Sequence, residues 1–358
     1  MRSRVAVLKT TPSTVLEDYA RLLDMAGAKG ALDARVPTIL KDNISWHFPF
    51  LSANTTPWQL EGTIQGLRKQ GITDLWAVHN KTVVTNSPKG QKLCKLAPVY
   101  AEYKVVEKEN FNPKHTRWIT YQPKAKMSVL PKIYPEGITI PEIFVGKNIV
   151  HLPTLKTHIY TTSTGAMKNA FGGLLNTRRH YTHTYIHETL VDLLKIQKEI
   201  HPGIFAVMDG TIAGDGAGPR TMYPHITNLI LASADQVAID AVATKLMGFD
   251  PMKVKYIAMA QEEGLGTGDP SRIDLVGDDV SGLNLHFMTE DNIVKKTANV
   301  LWFGPLKSTQ KLFFHTPLVY AFVMASFIYH DYLWWPILGK SRMRPIMESE
   351  WGKLFKSY

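Results

Sequence analysis

The sequence predicts an α/β fold: a mainly parallel sheet with flanking helices, a β-rich insert and a C-terminal apolar helix. Two observations carry that expectation. Short apolar runs recur at strand length, and helical patterns intervene between them, the alternation that builds parallel sheets. With 358 residues, 44% hydrophobic and 20% charged, the chain can bury a large core, and disorder or coiled coil is a poor reading of the whole.

The elements follow in chain order. Val5–Leu8 reads as a buried strand, Thr14–Met25 as a helix, and Val36–Leu40 as the next strand. Thr56–Lys69 is a second helical pattern and Leu75–Val78 a further strand. Residues near 81–141 are richer in Lys and Pro, with strand-like pieces at Tyr103–Val106 and Trp118–Tyr121, and read as the insert. Ile149–Leu152 returns to the sheet. Ile186–Ile200 then places Ile186, Leu190, Leu193 and Leu194 on one face, with Lys195, Lys198 and Glu199 elsewhere, the pattern of a helix packed on a sheet. Ile204–Met208 and Leu229–Ala232 are the last strands. Residues 1–310 are expected to form this domain, and 311–358 a separate membrane-interface or docking segment.

That last segment is almost wholly apolar from Pro317 to Tyr329, is interrupted by His330 and Asp331, and resumes in a Tyr-Leu-Trp-Trp cluster. Its strictly apolar core falls short of the roughly 20 residues that span a bilayer. Lys307 and Lys311 precede it, and Lys340, Arg342 and Arg344 follow. Basic flanks with Trp334 and Trp335 as an aromatic belt predict a membrane-surface contact through residues 312–339. The alternative is a buried helix that covers the core or a subunit interface in a homo-oligomer.

Lys and Arg total 41 against 31 Asp and Glu, a net charge of +10, which favours an anionic partner. Nucleic acid is not expected, because zinc-finger spacing, an RNP-type motif and a long Arg-rich arm are all missing from the sequence. An anionic small molecule or acidic lipid remains. Cys94 is the sole cysteine, which rules out an intramolecular disulfide and a cluster held by four thiolates of this chain. Other cofactors stay open. The N-terminal M-R-S-R-V-A-V-L-K runs into a strand without a signal-peptide apolar region, so a cytoplasmic protein, peripheral to the inner face of a membrane, is the expectation.

Three stretches could carry chemistry. In L-K-T-H-I-Y-T-T-S-T-G-A-M-K-N-A-F-G-G (Leu155–Gly173), Lys156 and His158 lie just past a predicted strand, where open α/β sheets gather ligands. Thr162 and Ser163 belong to a hydroxyl-rich turn before a helix bearing Lys168 and Asn169, a combination suited to an anion or to an ordinary helix cap. Downstream, N-T-R-R-H-Y-T-H-T-Y-I-H-E puts His180, His183 and His187 on one face if helical, beside Arg178 and Arg179. They could hold a metal, bind phosphate or relay protons; without H-E-x-x-H the metal signal is weak and none is expected. In V-M-D-G-T-I-A-G-D-G-A-G-P-R, Asp209 should end a strand, and Asp215 should sit in a glycine turn before Arg220.

H-L-P-T-L-K-T-H, M-K-N-A-F-G-G and D-G-T-I-A-G-D-G-A-G-P together resemble the DUF362 family. A-S-A-D-Q-V-A-I-D-A-V-A-T-K-L-M-G-F-D-P is similar to the helix that follows in that family, and I-L-K-D-N and T-T-P to its early Lys-x-Asn and Thr-Thr elements. The resemblance implies an α/β fold but no agreed reaction. Many relatives carry a ferredoxin-like cysteine segment, which implies redox work for them; this chain departs with Cys94 alone, and with Asp215 where relatives tend to have Glu.

The leading expectation is an enzyme peripheral to a membrane that acts on an anionic or lipid-like substrate by acid–base or electrostatic catalysis. Lys156, Lys168, His158, Asp209 and Asp215 are its candidate catalytic residues. Lys41, Asn43, Thr162, Ser163, Asn169, Arg178, Arg179 and Arg220 are its candidate anion-binding residues. A redox protein that binds a flavin or metal and draws electrons from a separate ferredoxin is the second, and a non-catalytic scaffold the third.

Overall fold

A computed structural model describes residues 2–82, 85–176, 178–289, 304, 307–309, 312–313 and 315–358. The chain begins β1 (Arg4–Lys9), α1 (Val15–Met25), α2 (Ala28–Ala31), β2 (Thr38–Lys41), α3 (Pro57–Lys69) and β3 (Leu75–His79). There follow α4 (Ser87–Leu93), α5 (Leu96–Glu102), β4 (Val106–Glu109), β5 (Trp118–Tyr121), α6 (Leu130–Ile133) and β6 (Ile138–Pro141). Next are β7 (Asn148–His151), β8 (Thr154–His158), β9 (Thr162–Ser163), α7 (Ala166–Asn169), α8 (Phe171–Leu174) and α9 (Ile186–Ile200). The long strands β10 (Ile204–Ala217) and β11 (Thr221–Ser233) precede α10 (Gln236–Leu246), α11 (Lys255–Glu262) and β12 (Asp274–Gly277).

These strands make a ten-stranded sheet in the order β12-β1-β11-β10-β7-β2-β3-β4, with β8 beside β10 and β9 beside β8. Most pairings are parallel; β11 and β9 supply the antiparallel ones. Alternation along each strand feeds two layers of helices. Ala6, Leu8, Phe205 and Val207 pack with α1, α3 and α5, while Val5, Val7, Ala206 and Met208 pack with α9, α10 and α11. The predicted α/β fold is the observed one.

Local chemistry explains the boundaries. Thr56 and Gln59 form a capping box, with Pro57 at the first position, so T-T-P starts α3. Residues 81–141 contribute the helices α4, α5 and α6, the edge strand β4, and a separate two-stranded β5–β6 sheet. The strand expected at Tyr103–Val106 begins at Val106, because Lys104 takes a left-handed turn (φ 50) after α5. Asp192 of α9 anchors the insert by accepting the N–H groups of Ser128, Val129 and Leu130 at 2.7, 2.8 and 3.0 Å. Lys195, expected on an outward face of α9, is buried and ion-paired with Glu263.

Two expectations are corrected. Asp209 does not end a strand, and the glycine stretch is not a turn: β10 continues through both, paired with β11 from Ala206↔Ser233 to Ala217↔Thr221. Glycine serves here to let β8 lie against this strand. A Cβ on Gly218 would stand 1.9 Å from the Thr157 carbonyl oxygen.

The second correction concerns the C-terminus. A helix from Val319–Phe327 continues through wider π-type turns over Ile328–Gly339 into Lys340–Glu348, followed by the short helix Glu350–Ser357. Among the described residues no helix is long and apolar enough to cross a membrane. Trp334 and Trp335 are not an exposed belt. They pack on the core, with Trp335 stacked 4.7 Å from Phe48 and Trp334 5.7 Å from Trp46. Asp331 is buried with them and accepts a hydrogen bond from Trp46 Nε1 at 2.7 Å. Arg342 is committed to the protein as well, donating to the Thr221 and Met222 carbonyls. The opposite side remains apolar and open: Tyr320 is 66%, Tyr332 65% and Ile337 66% exposed. Lys311 and the expected boundary at 310–311 lie outside the described residues.

Candidate functional site

A cavity of about 420 Å³ opens beyond the C-terminal ends of β2 and β3. In parallel sheets this edge collects ligands because loops, rather than a sheet face, form its walls. Lys41 comes from the end of β2, Asn43 and Ser45 from the loop after it, and Lys168, Asn169 and Phe171 from α7 and its junction with α8. Arg179 and His183 come from the turns before α9, and Arg220 from the β10–β11 connection. The Val319–Phe327 helix roofs the space with Val319, Phe322 and Val323, and Ser326 adds a hydroxyl. An adjoining cavity of about 290 Å³ shares Lys168, Phe171, His183, Arg220 and Ser326, and adds His158 and His330.

The charge on these walls is lopsided. Lys41 is neutralised locally: its Nζ donates to the Asp42 carbonyl at 2.6 Å and lies 3.5 Å from the Asp42 carboxylate. Asp42 also accepts from Tyr100 at 3.1 Å and faces His79 at 3.4 Å. Among the described residues, Lys168, Arg179 and Arg220 have no carboxylate within ion-pair distance. Arg179 donates to the Gly172 and Lys81 carbonyls at 3.4 and 3.1 Å, and Arg220 to the Ser45 carbonyl at 3.2 Å. Burial, reinforced by Arg179, pulls the Lys168 amine down to about 8. Burial also pulls Arg179 and Arg220 each down to about 10. A bound anion would reverse these shifts by supplying the missing opposite charge.

The imidazoles here are held neutral. Burial, with Lys168 second, drives His158 well below its usual range, and burial takes His183 to about 4. His158 Nδ1 accepts from the Tyr160 N–H at 3.2 Å, and His183 Nδ1 lies 2.9 Å from the His180 carbonyl. His180 and His183 sit on a short 3₁₀ stretch, and His187 lies in the first turn of α9 beside Tyr256. Among the described residues no group of three His, Cys, Asp or Glu side chains is placed to hold a metal ion.

The structure thus brings together Lys41, Asn43, Lys168, Asn169, Arg179, Arg220, His158, His180 and His183. It does not bring in the rest. Lys156 is sealed behind Ser45, 1% exposed. Asp209 is buried against α3, where it accepts from Thr56 and from the Thr211 N–H at 2.7 Å. Asp215 lies on the β10–β11 ribbon, accepting from the Met288 N–H at 2.8 Å, with His225 3.6 Å away. Arg178 is half exposed and paired with Glu136 at 2.7 Å. Ser163 is committed to Thr244 and Tyr256 at 2.9 and 3.0 Å, and neither it nor Thr162 lines either cavity.

The hydroxyl-rich turn is not an open anion site. Asp240 of α10 already occupies the start of α7, accepting from the Ala166 and Met167 N–H groups at 2.6 and 3.2 Å. Gly165 makes room, since a Cβ there would stand 2.0 Å from Asp240 Oδ1. Sequence reasoning missed Asp240, although an aspartate inside the apolar A-I-D-A-V-A run was a signal. It also missed Ser45, His330 and the roof.

Residues 38–245, more than half the chain, match the family described as domain of unknown function DUF362, and the chain belongs to that family. The thylakoid-associated protein sll1697 of Synechocystis sp. is 31% identical over 121 residues, 33% of this chain and 37% of that protein. The match therefore spans little more than a third of that relative's length. No solved structure matches the chain.

Proposed function

We propose that the protein works at a membrane surface, on the cytoplasmic side, upon an anionic lipid-like molecule, by electrostatic and acid–base catalysis in this cavity. One observation supports the reading above others: three cations without carboxylate partners face a roof helix whose far side is apolar and open. Lys168, Arg179 and Arg220 would hold a phosphate or carboxylate. Phe171, Val319, Phe322 and Val323 would meet an apolar tail. His158 lies in the adjoining cavity beside Lys168, where the charge of a bound anion would raise its lowered pKa and let it take up a proton.

The outer side of the C-terminal helix suits a lipid headgroup boundary. Tyr320, Met324, Ile328, Tyr332, Leu333 and Ile337 expose it, and Lys340 and Arg344 follow. The relative's description as thylakoid-associated is in keeping with a place at a membrane.

Flotation with vesicles of phosphatidylglycerol or phosphatidylcholine tests the surface, and calorimetry with inorganic phosphate tests the cavity. Full-length protein should float with the anionic vesicles, and Tyr332→Ser with Ile337→Ser should abolish flotation without lowering Tm. Lys168→Ala should weaken phosphate binding about tenfold, the worth of a charge-assisted contact. Protein that ignores anionic vesicles sinks the membrane reading. Unchanged phosphate affinity in Lys168→Ala sinks the anion reading.

A further inference from the structure

We propose that Ser45 and Lys156 form a nucleophile–base pair that cleaves acyl esters carrying an anionic group and an apolar acyl chain. The inference rests on the reading of the cavity as an anion site and adds a reaction to it. Ser45 is half-buried on the cavity wall that also carries Lys168 and Arg220. Directly behind it, Lys156 Nζ lies 3.0 Å from Ser45 Oγ. The amine's other contact is the Ala53 carbonyl, and among the described residues no carboxylate is within ion-pair distance.

A lysine 1% exposed with only neutral oxygens beside it has its charged form disfavoured. Burial lowers its pKa far below the usual range, and the charge of Lys168 adds to this. An unprotonated amine offers the serine hydroxyl a lone pair at hydrogen-bond distance. Ser45 Oγ donates to Asn43 Oδ1 at 2.8 Å and accepts from Lys156 Nζ, so the transfer requires the hydroxyl hydrogen to turn from Asn43 to the amine's lone pair. The serine backbone is pinned, its carbonyl accepting from Arg220 Nε at 3.2 Å and Thr85 Oγ1 at 3.1 Å.

The chemistry balances with water alone as co-reactant. Lys156 Nζ takes the Ser45 hydroxyl proton as Oγ bonds to the ester carbonyl carbon. Collapse of the adduct breaks the bond to the alcohol oxygen, which leaves with the proton returned by Lys156. Water then attacks the acyl-serine, again losing a proton to Lys156, and the carboxylic acid leaves as Ser45 regains its hydrogen. Lys168 and Arg220 flank this point and would hold the substrate's anionic group.

The merely structural alternative is that Lys156 ties Ser45 to Ala53 and does nothing else. A long-chain fluorophosphonate, which labels activated serines, separates the two. Intact-mass and peptide analysis should find one adduct on Ser45 in the full-length protein and none in Ser45→Ala. Lys156→Met should label at least about 100-fold more slowly, the lower range for loss of a general base. In the wild type, the labelling rate should rise with pH along one ionisation below the ordinary lysine value, a profile that a loop tie would not produce. Should Lys156→Met fail to fold, that profile decides alone. No adduct on Ser45, labelling that persists in Ser45→Ala, or a pH-independent rate overturns the pair.

The source of the ester is read in parallel, from release of fatty acid by phosphatidylglycerol vesicles and by a soluble acyl phosphate ester. Release from one and not the other assigns the source, and release from neither overturns the reaction. Phosphate calorimetry run alongside keeps the failures distinct. Intact phosphate binding with an unlabelled Ser45 sinks only the pair, whereas a labelled Ser45 without phosphate binding sinks only the anion site.

Discussion

At the scale of single residues, Lys168 is the group through which pH should act on the cavity. Its amine is pulled down to about 8, so it is protonated at neutral pH and loses its charge as pH passes that value. An anion binds the protonated form, so affinity for inorganic sulfate, whose own charge is constant in this range, should change little from pH 6.5 to 7.5. Above about 8 it should fall, up to tenfold per pH unit. Lys168→Met should bind weakly and without that fall; a wild-type profile flat to pH 9.5 would place the amine outside the anion's reach. Lys41, Lys168, Arg179 and Arg220 were legible as cavity residues because they lie at strand ends and turns, where the fold class gathers ligands. Asp209 and Asp215 were misplaced for a physical reason. Glycines that look like a turn in sequence can equally be the flat surface on which another strand lies. Ser45 was illegible because its partner, Lys156, is far along the chain.

At the scale of elements, the C-terminal helix is both a roof and a plug. Its inner side places Trp334, Trp335, Met343 and Ile346 in the same core as Trp46, Phe50 and Trp58. Removing residues 312–358 would open that core, so the truncated protein should aggregate or melt well below the full chain. Trp335→Ala alone should cost about 3–5 kcal/mol, as a large buried aromatic does. Chemical denaturation of that variant checks the value, and a loss under about 1 kcal/mol would mean the helix is undocked in solution. Substitutions on the outer side are therefore the clean way to probe lipid contact. The sequence showed an apolar segment too short to span a bilayer. It could not show which way the tryptophans turn, because paired aromatics suit a headgroup belt and a core equally. The acceptor that decides for Trp46, Asp331, read only as an interruption. The insert was partly legible: its strands were placed by β-branched and aromatic residues, while α4 and α5 were hidden by their short length and by Pro88 and Pro98.

At the scale of the whole molecule, the buried ionisable groups set how stability follows pH. His151, His183, His201 and His330 are pushed by burial to about 3, 4, 4 and 4, and His158 lies well below its usual range. Each is neutral when folded, but in the unfolded chain each binds a proton below about 6.5. Their contribution is complete above that value and is lost as pH falls. Asp240 acts in the opposite sense. Burial raises it to about 7, so it stays protonated in the fold between about 4 and 7 while the unfolded chain has already released that proton. Asp209 is raised by burial as well. Their contribution is complete in acid and is lost as pH rises. Near pH 5 these histidines outnumber the raised aspartates, and burial lowers His47 and His187 as well, so the unfolded chain holds more protons and stability should rise from pH 5 to 6.5. Urea unfolding at intervals across that range measures the slope. Asp240→Asn should make it steeper by about one proton, by removing an opposing group. His151→Gln, which can still bond to Gln197, should make it shallower by about one. A wild-type slope that is flat or negative would mean that these histidines are hydrated and charged in the folded protein, and the picture of a neutral, dry wall beside the cationic cavity would fall with it.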